Sequence, residues 1–533
     1  MVLSKSMHTF NPSGPSEKIV VVGAGVGGLA CAIDLAASGR SVTVFDRAPR
    51  SGGRMREASV AGAAIDVGPT VLTLRRVFDD LFEVAGERLD RHLTLTRLDR
   101  LARHAWPDGS RLDLFTDIDR SAAAIGDLAG AAEARGYRAF CAEAGRIFDT
   151  LDETYLRRPQ TTPMGLAARI GFHRLGALRG IRPFETLWEA VGRHFADPRL
   201  RQLFGRYATY CGSSPFEAPG TLMLVAHVER EGVWSVTGGM GRLADALEAL
   251  AMRLGVVFRH ETEIAEIGVA RGRASGVRTA DGDWFDADCV VVNGDVQALA
   301  HGAFGAAAAT AADAGPSSDR SMSAITWAMT ATARGFDLGR HNVFFSRDYD
   351  AEFDDIRLRD RPPRRPTVYV CAQDREGGGS PPDGPERLLL LVNAPANGDR
   401  RNLDPGEIAA CEKAMFDQLT RCGLTLSPQP EGSRLTTPAG FDQAFPGSGG
   451  ALYGSATHGW RSTFRRPGAK TRLPGLYLAG GGVHPGPGLP MVALSGRLAA
   501  SQVMADQAST RSWGRGATPG GTWTRSATTD APA

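Results

Sequence analysis

The chain has 533 residues, 42% of them hydrophobic, enough for two or three packed cores with insertions between them. Its 61 basic side chains almost balance 59 acidic ones, and the net charge of +2 excludes a polyanion binder that works through its whole surface. Seven scattered cysteines form no CxxC pair, so a reduced, cytosolic setting is expected, with neither a zinc scaffold nor a disulfide framework and no metal ligands.

The first residues, "MVLSKSMHTFNPSGPSEK", lack the apolar stretch of a secretory leader. Residues 1–17 and 508–533 are rich in Pro, Gly, Ser and Thr and are expected to be disordered tails. "KIVVV", Lys18 to Val22, is a β-branched run of the kind that makes a buried parallel strand, and it leads straight into "GAGVGG", Gly23 to Gly28. A helix follows, with Leu29, Ile33 and Ala36 on one face and a stop at Gly39; then comes a second strand, "SVTVF", ending at Asp46. Each part suits a dinucleotide. Gly23 permits the tight turn, Gly25 admits a pyrophosphate, Gly28 lets helix and strand approach, and Asp46 can accept both ribose hydroxyls. A Rossmann-like α/β domain is therefore predicted to begin at residue 18.

"DRAPRSGGRM" places Arg47, Gly52, Gly53 and Arg54 just beyond that acid, and "AAIDVGPTVL" follows. The stretch from Phe78 to Val233 reads as mainly helical. It contains "LRRPQTTPMGLAARIGFHRLGALRGIR", Leu156 to Arg182, with six arginines and no acid among Met164, Leu166, Ile170, Phe172, Leu175, Leu178 and Ile181. Two readings fit this segment: apolar side chains in a lipid surface with arginines at the head groups, or a helix pair packed on its own domain with a solvated basic face. "GGMGRLADALEALAMRLGVVFRHETEIAEI" then reads as turn, helix, strand and a short strand near Ile264, and "ADCVVVNGD" as a buried strand ending in a turn. From Phe304 to Arg466 short strand-like runs alternate with loops, suggesting a sheet that walls a substrate cavity. Near the end, "GLYLAG" runs into a second glycine turn, "GGGVHPGPGLP", and a helix beginning near Met491.

These segments resemble the flavoprotein amine oxidase and carotenoid desaturase superfamily, in which the acid is followed by a GGR or GGK segment along FAD and then by D-x-G-P. From residue 18 to residue 507 the chain resembles a bacterial carotenoid desaturase of the phytoene desaturase type. "DVGPTVLTLRRVFDDLF", "LARHAWPDGSRLDLF" and "HNVFFSRDYDAEF" look most like the 1-hydroxycarotenoid 3,4-desaturases. The resemblance implies FAD held by Gly23, Gly25, Gly28, Asp46, Arg47, Gly52, Gly53, Arg54, Gly68, Pro69, Thr70, Glu263, Ile264, Gly481, Gly482, Pro490, Met491 and Val492. Asp46 departs from the Glu more often found at its position, one methylene shorter.

The cofactor domain implied is discontinuous, over 18–77, 234–303 and 467–507, with a helical insertion at 78–233 and a substrate-binding domain of mixed sheet at 304–466. The reaction implied adds a C3–C4 double bond to an acyclic 1-hydroxycarotenoid by hydride transfer to the flavin. The alternatives are another desaturase, isomerase or ketolase of the superfamily, such as one acting on phytoene, or a flavin-containing carotenoid carrier. A lipid substrate favours the membrane reading of Leu156 to Arg182, with the protein peripheral to the cytoplasmic membrane face; oxygen, a quinone or another carrier would reoxidise the flavin. His484 is the candidate catalytic residue; Trp327, Trp460 and Phe464 are candidates for the cavity lining, and His341 and Asn342 for contact with the hydroxyl end of the substrate.

Overall fold

The structure is a computed structural model that describes residues 17–171, 175–313, 315–316, 319–375 and 382–515. The expected tails lie outside the described residues at 1–16 and 516–533. Between 508 and 515 the expectation is corrected, because the last helix, Leu489–Arg515, continues through that stretch. Its packed part, with Ala499, Ala500 and Val503 buried, carries the polar end as a helical extension.

A parallel five-stranded sheet forms around Lys18–Val22. Ser41–Phe45 and then Val257–Arg259 lie on one side of it, with Cys289–Val292 and then Leu476–Leu478 on the other. Short β-branched runs make this sheet because helices cover them, leaving no polar face to solvate. Helix Val26–Ala37 is almost wholly buried and lies against Leu489–Arg515. The two backbones touch so closely that a Cβ on Gly496 would sit 2.1 Å from the Gly27 carbonyl oxygen, which explains the small residues at both positions. The sheet thus gathers strands from three distant parts of the chain. Ile264–Ala270, the strand expected near Ile264, is the first of three in a separate antiparallel sheet.

The second sheet has seven strands, in the order Thr425–Thr436, Ser323–Arg334, Glu386–Ala394, Val368–Ala372, His341–Phe344, Arg100–Ala105 and Arg111–Phe115. Its last two strands come from the insertion expected to be mainly helical. The hairpin was legible locally: alternating residues flank Pro107-Asp108-Gly109, a turn sequence, and Gly109 takes φ +86° there. Alternation decides what each face meets. Ile325, Trp327, Phe344, Val370, Leu388 and Leu390 pack with Cys411, Met415 and Leu419 of helix Pro405–Arg421 into one core. Thr326, His341, Val343, Tyr369, Leu389 and Leu391, of opposite parity, face the interior of the protein.

Candidate active site

The cofactor cradle begins at the first glycine turn. Gly25 caps helix Val26–Ala37 without a side-chain hydrogen bond, and the first helical bond is that of the Leu29 amide to the Gly25 carbonyl. The preceding amides of the first turn are thus left for a ligand, at the positive end of the helix. Asn293 stabilises the turn from beneath: its Nδ2 donates to the Gly23 carbonyl at 3.1 Å, and its side chain lies against the positions where Gly25, Gly27 and Gly28 would carry a Cβ. Asn293 was not among the expected site residues. Its signal was the strand "CVVV" that ends beside it, in parallel register with Lys18–Val22.

The second glycine pair closes the same cleft. Gly52 donates to the Ala24 carbonyl at 2.9 Å and bridges Gly25, while a Cβ on Gly53 would lie 3.2 Å from the Gly25 Cα. Arg54 is half-buried against the Phe445 ring, 4.5 Å from its centroid, and has no carboxylate within salt-bridge distance among the described residues. Burial lowers its pKa, so a bound anion or electron-rich carbonyl would stabilise its charge. Asp46 accepts from the amides of Ala24 at 2.7 Å and Ala48 at 2.8 Å, which aligns its carboxylate at the end of strand Ser41–Phe45. Arg47 reaches across to the Gln443 and Ala444 carbonyls.

The late glycine turn forms the opposite wall. Arg466 donates to the carbonyls of Gly481 at 2.7 Å, Tyr453 at 3.3 Å and Ser455 at 2.8 Å, holding "GGG" to a loop of the second domain. Of the residues expected at the cofactor, all except Gly28 line one cavity of 1590 Å³. Gly28 lies behind the turn, where a Cβ would meet the Gly23 carbonyl oxygen at 2.0 Å; its part is close packing. Uncapped helix amides, glycines whose Cβ atoms would fill the cleft, and a carboxylate at the adjoining strand end together fit FAD, with its pyrophosphate at the first turn.

The cavity continues beyond these glycines. Its volume exceeds the roughly 300–1000 Å³ of a pocket for one small molecule, so it has room for cofactor and a second ligand. Leu166, Leu203, Val225 and Val228 from the first insertion face Val343, Leu389 and Leu391 of the second sheet. Trp460 and Phe464 are on this wall as expected, and Phe184 meets Trp460 edge to face at 5.6 Å. Phe184 both lines the cavity and is 77% exposed, which marks an opening to the surface; Met164, 70% exposed, is next to the lining residue Pro163.

Three expected residues are elsewhere. Trp327 lies in the core under helix Pro405–Arg421, because its parity turns it away from the cavity. Asn342, adjacent to His341 in a strand, must also face away. It donates to the carbonyls of Gly339 at 2.7 Å and Val370 at 3.1 Å and accepts from the Gly339 amide at 2.8 Å, a loop clamp. His484 is buried outside the cavity wall, and its Nε2 is 2.8 Å from the Arg158 carbonyl and 3.0 Å from that of Tyr155. Burial lowers its pKa to about 4, and its contacts make it a link between the glycine turn and the first insertion.

Sequence reading also missed a polar group inside the cavity. Tyr207 donates to Glu229 at 2.8 Å, and Arg206 lies 5.7 Å from the ring centroids of both Tyr210 and Tyr369. Burial raises the Glu229 carboxyl, against the lowering effect of its bonds to Tyr210 and Tyr207. These residues are dispersed over helical turns without a motif, so only the fold assembles them.

The basic segment divides in a way its composition did not show. Leu166, Ile170 and Ile181 turn inward, Arg157 pairs with Asp152 at 3.3 Å and Arg182 with Glu143 at 2.6 Å. Arg158, Arg169 and Arg179 are exposed; Phe172 and Arg174 lie outside the described residues. Among the described residues no helix is long and apolar enough to cross a membrane.

Flavin-containing amine oxidoreductases match the chain over residues 26–504. A hydroxyneurosporene desaturase of Rubrivivax gelatinosus is 52% identical over 515 residues, which cover 96% of this chain and 98% of that protein. A hydroxyneurosporene desaturase of Cereibacter sphaeroides is 46% identical over 498 residues, covering 92% and 98% of the two chains. Among solved structures, an oxidoreductase from Methanosarcina mazei superposes with a TM-score of 0.56 at 17% identity, covering 92% of this chain and all of its own, which speaks for the fold.

Proposed function

The chain belongs to the flavin-containing amine oxidoreductase family, together with the hydroxyneurosporene desaturases it resembles, and from that membership we propose a specific reaction: formation of the C3–C4 double bond of an acyclic 1-hydroxycarotenoid such as 1-hydroxyneurosporene. It is an FAD-dependent oxidoreductase of carotenoid biosynthesis. The observation that carries the finer reading is the single cavity that joins the glycine-lined cradle to an apolar compartment reaching the surface beside Phe184.

FAD, when bound, supplies the hydride acceptor. C4 of such a substrate is allylic to the polyene, so positive charge left there by hydride loss spreads over many conjugated carbons, and a proton then leaves C3. Such a reaction asks little acid or base strength of the protein. It asks for alignment of one bond of a long flexible molecule, and for exclusion of water. Leu166, Val228, Val343, Leu389 and Leu391 supply apolar walls of that kind, and Arg54, Arg466 and Asn293 hold the cradle against them.

Parallel incubation of the FAD-loaded protein with 1-hydroxyneurosporene and with phytoene tests the substrate. A red-shifted product is expected from the hydroxylated carotenoid. Conversion of phytoene alone would remove the 3,4-desaturase reading in favour of an earlier desaturation.

The cavity opening is also where the protein meets a membrane surface in this reading, as a peripheral contact. Exposed Met164 and Phe184, with the exposed Arg158, Arg169 and Arg179 of the same stretch of chain, offer apolar groups to the lipid and cations to its head groups. A Met164→Glu/Phe184→Glu protein is expected to float with anionic liposomes several-fold less than wild type. Equal flotation of the two proteins would place membrane contact elsewhere or nowhere.

A further inference from the structure

A long polyene presents nearly identical isoprene units to an apolar wall. Such a wall can hold the molecule, yet it cannot tell one register from the next. Something polar must fix which carbon–carbon bond is presented for reaction, and the only handle on an otherwise hydrocarbon chain is its terminal oxygen. In a 1-hydroxy end group that oxygen is within about 5 Å of the C3–C4 bond, three or four bonds of about 1.5 Å away. A group that holds the oxygen therefore also sets the reacting bond.

His341 has the features of such a group. It is 5% exposed, lies on the cavity wall, and belongs to the strand face shared with Val343, Tyr369 and Leu389. Its Nδ1 is 2.8 Å from the Tyr369 hydroxyl, which in turn is 2.7 Å from Thr70 Oγ1. Thr70 follows Gly68 and Pro69 on the cofactor side of the cavity, so the chain of hydrogen bonds ties the imidazole to the cradle. Among the described residues, His341 Nε2 has no hydrogen-bond partner. A satisfied core histidine would use both nitrogens or sit away from a cavity, and this one does neither.

The wiring also matches an alcohol in particular. Where Tyr369 donates to Nδ1, Nε2 carries the proton and donates; where Tyr369 donates to Thr70, Nδ1 donates to Tyr369 and Nε2 accepts. A hydroxyl group can answer either state. A hydrocarbon end can answer neither and would leave Nε2 buried without a partner. Burial, with Arg340 nearby, keeps the imidazole neutral, with a pKa near 3, so both states are open to it throughout the ordinary pH range.

We propose that His341, oriented through Tyr369 and Thr70, is the specificity-determining residue that hydrogen-bonds the terminal hydroxyl of the polyene and so selects the bond that is desaturated. This rests on the desaturase reading above and assigns the substrate's polar end within that site.

The test compares FAD-loaded wild type, His341→Leu, His341→Gln and Tyr369→Phe, using an acyclic polyene with a terminal tertiary alcohol and the same polyene without it. Dissociation constants come from quenching of tryptophan fluorescence, and kcat/KM from the product spectrum. In His341→Leu the alcohol-to-hydrocarbon preference in Kd is expected to fall about tenfold or more. His341→Gln, which keeps a polar group of similar reach, should recover part of it, and Tyr369→Phe, which unties the ring, should fall between. Equal effects of His341→Leu on both ligands overturn the proposal, as does a wild type that binds both alike while still desaturating the alcohol. A wild type that desaturates neither polyene overturns the desaturase reading, and the proposal with it. Should His341→Leu be recovered without flavin, the same ratio in Tyr369→Phe decides.

Discussion

Gly28→Ala protein is expected to be purified with most of its flavin lost. The added Cβ would fall 2.0 Å from the Gly23 carbonyl oxygen and 3.1 Å from Asn293 Nδ2, the atom that holds that same carbonyl. The Gly23 carbonyl is backbone and cannot swing aside as a side chain would, so the turn itself must open. Gly23 is at φ +104° and is crowded by the Asn293 backbone, which leaves it little freedom to compensate. Opening the turn misaligns the amides offered to the pyrophosphate. Loss of one or two charge-assisted hydrogen bonds at about 1.5–3 kcal/mol each weakens FAD by roughly 10- to 10⁴-fold. Gly126→Ala is the matched control. It lies in helix Ile118–Ala129 and does not line the cavity, its Cβ would meet only Ala134 Cβ at 3.6 Å, an ordinary contact, and flavin should be retained. The ratio of flavin to protein absorbance and a titration of apoprotein with FAD measure both. Wild-type affinity in Gly28→Ala would contradict the assignment of the turn.

Glu352→Gln is expected to stabilise the protein above neutral pH. Glu352 is 1% exposed, accepts from the Thr367 amide at 3.0 Å and from Asn393 Nδ2 at 3.4 Å, and has no cation within salt-bridge distance among the described residues. Burial raises its carboxyl from 4.5 to about 7, against the lowering effects of Thr367, Asn393 and Arg206. Between those two values the folded protein holds a proton that the unfolded chain has released. The stability associated with the neutral acid is thus fully present below about pH 4.5, and is lost as pH rises through about 7. Above that, the buried carboxylate costs up to about 3 kcal/mol. Glutamine removes the charge, keeps the bond to Thr367, and can pair with the Asn393 amide turned over. The unfolding temperature of Glu352→Gln, with FAD saturating, should exceed that of wild type by a few degrees at pH 8, and the gap should narrow steadily towards pH 5. A gap that does not change with pH would show that Glu352 does not titrate as described.

The glycine turns were legible because their chemistry is local. In "KIVVVGAGVGG" the strand, the turn and the helix start lie within a dozen residues, and glycine at those positions has a steric reason visible in the chain itself. The hairpin at Pro107 to Gly109 had the same kind of local signal, and it was obscured by the helical character of the segment around it. The substrate wall was less legible. Adjacent residues of a strand face opposite ways, so of His341 and Asn342 only His341 reaches the cavity, and the parity of Trp327 turns it into the core. The arginines of Leu156 to Arg182 looked alike in sequence, yet two are paired inward with Asp152 and Glu143.

By itself, then, the sequence determined the nucleotide-binding unit, its family and the class of chemistry, since these depend on backbone conformation and on contacts between near neighbours. Tertiary structure alone decided which residues share the cavity. Arg206 and Glu229 come from helical turns of one insertion, His341 and Tyr369 from strands of the other, and Thr70 from the cofactor domain. Their juxtaposition depends on the register of the seven-stranded sheet and on how the helices close over it. Those are set by the packing of apolar faces across hundreds of residues, for which no short stretch of sequence carries the signal.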